Sequence, residues 1–67
     1  MTNAMKRKAI ETINEFRKEN PNEIVHDTGF YHYGATYQIR EVKPNTFRIC
    51  RYNPYSICSD YVDTFSM

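Results

Sequence analysis

Residues 30 to 42, Phe30-Tyr31-His32-Tyr33-Gly34-Ala35-Thr36-Tyr37-Gln38-Ile39-Arg40-Glu41-Val42, alternate with a period of two and are rich in aromatic and β-branched side chains. Alternation of this kind fits a pleated, half-buried strand rather than a helix. It places Tyr31, Tyr33, Ala35, Tyr37 and Ile39 on one face and Phe30, His32, Thr36, Gln38, Arg40 and Val42 on the other. Gly34 interrupts the run and marks a bulge between two shorter strands.

Downstream, Lys43-Pro44-Asn45-Thr46 reads as a turn, with proline at the first corner of type I, and Thr46 to Tyr52 returns as an antiparallel partner. Opposing Val42 with Phe47 sets the rest of the register, pairing Glu41 with Arg48, Ile39 with Cys50 and Tyr37 with Tyr52. Asn53-Pro54 is either a turn into a third strand from Tyr55 to Val62 or an N-cap with proline at the first helical position. Ile57, Tyr61 and Phe65 recur every four residues, which fits a short second helix; the poor helix propensity of Tyr, Ile, Cys, Val and Thr favours the strand.

Upstream, Asn3 to Glu19 is helical: Met5, Ala9, Ile13 and Phe16 fall within one arc with Ile10 at its edge. Thr2 or Asn3 caps the first turn, and Asn20 before Pro21 stops the last. The fold class that follows is α+β, an N-terminal amphipathic helix packed on a three-stranded antiparallel sheet, in a single small domain over residues 1–67. Lys6-Arg7-Lys8 lies in the first helical turns, where the helix dipole disfavours cations and favours fraying.

Composition narrows the class further. The chain lacks leucine and tryptophan and draws its bulk from six Ile, three Val, four Phe and six Tyr, a set suited to sheet. A core this small rarely supplies more than about 3–5 kcal/mol, so a disulfide, a metal or a second copy of the chain is expected to support it. Two cysteines, Cys50 and Cys58, are too few for a secreted disulfide framework, and free thiols are expected. The basic residues from Met1 to Lys8 precede no apolar run, so neither a secretory signal nor a membrane span is expected and the location expected is the cytoplasm. A net charge of +1 is too near zero for whole-molecule attraction to a polyanion, so any nucleic-acid site must be local.

Three constellations hint at chemistry, and each lacks something that the chemistry needs. Asp27-Thr28-Gly29 spells the catalytic tripeptide of retroviral-type aspartic proteases, but the chain lacks the second glycine-bearing loop that such a site needs, and the tripeptide reads as a turn. His26, His32, Cys50 and Cys58 sum to a zinc set, yet the histidines stand six positions apart and the cysteines eight, where structural sites draw close pairs. A Cys-His nucleophile has nothing to orient it, and Gly29 and Gly34 alone build no phosphate loop. The reading is therefore not an enzyme, with no cofactor.

What remains is the hairpin, which carries Arg40, Lys43, Arg48 and Arg51 among Tyr31, Tyr33, Tyr37, Phe47, Tyr52 and Tyr55. One helix covers only one face of a sheet, so the other must meet the C-terminal segment, a second copy of the chain or a partner. Tyrosine and arginine together are what a protein hot spot uses. The expectation is a small adaptor or inhibitor, probing a larger protein through this face and forming a homo-oligomer. The alternative is a nucleotide or single-stranded nucleic-acid binder, in which rings stack bases and guanidinium groups meet phosphate. In size and composition the chain resembles the short cytoplasmic proteins with which phages and mobile elements block a host enzyme or defence system.

Overall fold

Helix α1 (Asn3–Glu19) forms over the residues whose periodicity predicts it. A computed structural model describes residues 1–55 and 60–67. Thr2 caps the helix, its hydroxyl accepting from the Met5 amide at 3.2 Å. At the other end the amide and the side chain of Asn20 both donate to the Phe16 carbonyl, and Pro21 follows. Met5, Ala9 and Ile13 are buried and Phe16 is half-buried, so the predicted arc is the packed one. Two cations of the basic run are engaged: the Lys8 ammonium donates to the Tyr31 carbonyl at 2.9 Å and that of Lys6 lies 5.6 Å from the Phe65 ring centre.

Strands β1 (Thr28–His32), β2 (Ala35–Lys43), β3 (Thr46–Arg51) and β4 (Asp60–Ser66) form an antiparallel meander in sequence order. The α+β class stands, but the sheet has four strands, not three. The extra strand arises at Tyr33-Gly34, read above as a bulge. Both residues have positive φ, 45° and 80°, as a primed two-residue hairpin turn requires, and they join His32 directly to Ala35. A turn reverses the chain where a bulge would only kink it. Phe30 consequently faces Tyr37, and Phe30 and His32 share a face with Ala35, Tyr37 and Ile39 while Tyr31 points away. Asp27, with φ 50°, belongs to the approach to β1, whereas Thr28 and Gly29 are already paired within it.

The β2–β3 register is also corrected, by one residue. Lys43 opposes Thr46, but a bulge between Glu41 and Lys43 shifts the ladder, so that Glu41 faces Phe47, Arg40 faces Arg48, Ile39 faces Ile49, Gln38 faces Cys50 and Tyr37 faces Arg51. A one-residue slip exchanges the two faces of a strand. In this register Ile39, Phe47 and Ile49 all reach the helix side and are fully buried, whereas the expected pairing would have put Cys50 beside Ile39. At the hairpin tip the positive φ belongs to Asn45, 61°, which is the second corner of a type II turn rather than type I.

Asn53-Pro54 is a turn, its asparagine side chain accepting from the Tyr55 amide at 2.9 Å, and the C-terminal segment is a strand. That strand runs from Asp60 rather than from Tyr55; Ile57 and Cys58 lie outside the described residues. Val62 is the extra residue where β4 bulges against Ile49 and Cys50. It packs on the core together with Phe65.

The core lies wholly between α1 and the inner face of the sheet: Ala9, Ile13, Val25, Ile39, Phe47 and Ile49, with Phe16, Phe30, Tyr37, Val62 and Phe65 around them. Glu41 also points inward. Its carboxylate accepts from the Val25 amide at 3.0 Å and from the Asn45 amide at 2.9 Å, and receives the Arg17 guanidinium at 3.3 Å. The Glu41 amide in turn donates to the Val25 carbonyl. One side chain thus fastens helix, connecting loop and hairpin tip together.

Gly29 marks the closest approach of β1 to β2, because a Cβ there would drive into the Tyr37 carbonyl oxygen and its carbon. Replacing Gly29 by Ala should force β1 outward and lower the unfolding free energy by about 1–3 kcal/mol, measurable by urea titration.

Candidate binding face

The outer face of the sheet is not covered by any described element. Reading across the register, Tyr31, Thr36 and Tyr52 form one row, with the Tyr52 amide donating to the Thr36 carbonyl at 2.8 Å. Gly29, Gln38, Cys50 and Tyr61 form the next, and Arg40, Arg48 and Thr64 the third. Small or flat residues make the floor and large ones the rim. Rows two residues apart along a strand lie about 7 Å from one another and strands about 4.8 Å apart, so the platform is on the order of 14 Å square.

Tyr31, Tyr52 and Tyr61 keep 65 %, 54 % and 62 % of their surface exposed. Burying a ring of this kind on a partner is the largest single gain that a protein surface of this composition offers. A shallow groove of about 1180 Å³ lies at the β1 side of the sheet, lined by Asp27 and Arg40 and by residues of both faces, Phe30 and Tyr37 as well as Tyr31 and Gln38.

Arg40 and Arg48 stand directly opposite one another. Like charges in that position destabilise a sheet by about 0.2–1 kcal/mol. Among the described carboxylates, Glu41 is bonded on the inner face, Asp60 pairs with Arg51 and Asp63 with the N-terminal ammonium, while Asp27 pairs with His26 and lines the same groove as Arg40. No outward-pointing residue of the four strands carries a carboxylate, and among the described residues neither guanidinium has a hydrogen bond or an ion pair.

Of the residues expected to form the site, Tyr31, Arg40, Arg48 and Tyr52 meet on this face. The other four do not join them. Tyr37 is half-buried on the inner face, stacked on Phe30 with ring centres 5.2 Å apart. Tyr33 occupies the hairpin turn, edge-on to the His32 ring at 4.4 Å. Arg51 pairs with Asp60 at 3.6 Å, and Tyr55 sits in the turn beyond β3. Sequence reasoning missed Tyr61, Gln38 and Cys50. Cys50 had been assigned to the face of Ile39 and Tyr37, but it pairs with Gln38 on the outer side, where it is half-buried. Tyr61 was missed because the C-terminal segment, although expected as a strand, was given no register against β3, which is what places Tyr61 opposite Cys50.

His32 is buried on the inner face, so it and Cys50 lie on opposite sides of the sheet. No helix among the described residues is long and apolar enough to cross a membrane. No protein-family model, curated protein or solved structure matches this chain.

Proposed function

We propose that this chain is a small non-enzymatic binding protein of the cytoplasm, an adaptor or inhibitor that engages a larger protein through the outer face of its sheet. The observation that carries the reading is the coexistence of a closed core on one side with three half-exposed or more exposed tyrosine rings on the other. Those rings contribute to no described packing, yet they are the residue type that dominates protein hot spots. Size and composition, which resemble those of the short proteins that phages and mobile elements direct at host enzymes or defence systems, are compatible with an inhibitor.

Tyr31→Ala and Tyr52→Ala should each weaken capture of the partner at least tenfold while moving the folding free energy by no more than about 0.5 kcal/mol. Affinity purification from the native host with wild type and both variants, alongside thermal melts, checks this. If capture survives both substitutions, the face is not the binding surface. A melt that collapses with capture would instead make these tyrosines structural.

A second reading, a binder of nucleotides or single-stranded nucleic acid, draws on the same rings and on the Arg40–Arg48 pair. It requires affinity that falls steeply as salt is raised. The homo-oligomer expected from the thin core is a separate proposal, which a light-scattering mass measurement tests.

A further inference from the structure

Resting on the proposed protein-binding role of the outer face, we infer that the partner meets it with an acidic spot, whose carboxylates seat on the Arg40–Arg48 pair. Two guanidinium groups held side by side across neighbouring strands, neither in an ion pair among the described residues, form an arrangement that repels itself until an anion arrives. Guanidinium forks bind carboxylates in two-point geometry, and rings alongside exclude the water that would weaken the contact.

Charge selects among possible occupants. A second copy docking face to face about a two-fold axis through the platform would bring each arginine pair against its duplicate, so self-association on this face is opposed. A nucleic-acid strand needs cations spaced along its path. Here the strands offer one arginine pair, with Lys43 opposite Thr46 nearer the hairpin tip and Arg51 committed to Asp60, in a chain of net charge +1. A localised pair bordered by tyrosines fits a local cluster of carboxylates on a protein surface.

The test uses three labelled probes in fluorescence anisotropy with the full chain: a twelve-residue peptide alternating glutamate with phenylalanine, the same peptide with glutamine for glutamate, and a twelve-residue oligo-dT. The glutamate peptide is expected to bind at least tenfold more tightly than the glutamine peptide or the oligonucleotide. The double variant Arg40→Gln/Arg48→Gln should lose at least tenfold in affinity for the glutamate peptide with a thermal melt no lower than that of the wild type. Equal binding of the two peptides, failure of the glutamate peptide to bind, or tighter binding of the oligonucleotide overturns the inference. So does retention of glutamate-peptide affinity in the double variant. If that variant keeps the host partner while Tyr31→Ala and Tyr52→Ala lose it, the acidic assignment fails and the binding face stands. If neither set changes capture, both fail.

Discussion

Phe47→Ala should leave the domain largely unfolded at 25 °C. Phe47 is fully buried at the centre of the inner face, opposite Glu41 on one side and Phe65 on the other, with the Arg17 guanidinium 5.1 Å from its ring centre. Removing a buried phenylalanine costs about 3–5 kcal/mol, the transfer free energy plus the cavity left behind. A core of this size holds only about 3–5 kcal/mol in total, so the substitution consumes most of it. Neighbouring rings cannot close the gap, since Phe65 is tied to β4 and Ile13 to the helix. Far-ultraviolet circular dichroism and a urea titration decide the matter; a cooperative transition within 1 kcal/mol of wild type would mean that the core lies elsewhere.

Glu41→Gln should be nearly as damaging, by about 2–3 kcal/mol, although it changes one atom. The carboxylate oxygens accept from two separate backbone amides, and an amide side chain keeps one acceptor while turning the other into a donor. Val25 is fully buried, so water cannot replace a lost partner on its amide, and an unsatisfied buried donor costs about 1–3 kcal/mol before the Arg17 contact is counted. The acceptor role also fixes the pH dependence. Bonding from the Val25 amide first, then from the Asn45 amide, with Arg17 alongside, holds the Glu41 carboxyl below its ordinary value despite burial. A depressed folded-state pKa means that the unfolded chain binds the proton more readily. The contribution is therefore complete above the unfolded value of about 4.3 and is lost progressively as pH falls through the lower folded value. Stability measured between pH 3 and pH 6 should show this loss in wild type and a shallower one in the glutamine variant.

Much of the architecture is legible in the chain. The helix declares itself because its apolar arc, its Thr2 cap and its Asn20-Pro21 stop agree with one another, and the structure places it over the same residues. The sheet is harder, for a local reason. Tyr33 adopts positive φ, which a bulky residue seldom does, so a turn built on Tyr-Gly looks like strand with a defect. Once that turn is misread the faces of β1 are exchanged, and Tyr31 and Phe30 trade places. The second error has the same root in geometry: alternation specifies the register of a hairpin only up to its bulges, and nothing in Glu41-Val42-Lys43 announces one. A stricter demand that Ile39, Phe47 and Ile49 share a face would have found it. The candidate binding face was legible in kind, as tyrosine with arginine, but half of its membership depended on these two single-residue shifts.

The one-sided placement of the core has a consequence for how such a chain evolves. The exposed rings of Tyr31, Tyr52 and Tyr61 lie outside the core, so substitutions among them and substitutions in the interior should combine nearly independently. A lineage carrying this scaffold is free to change those exposed positions repeatedly without passing through unfolded intermediates.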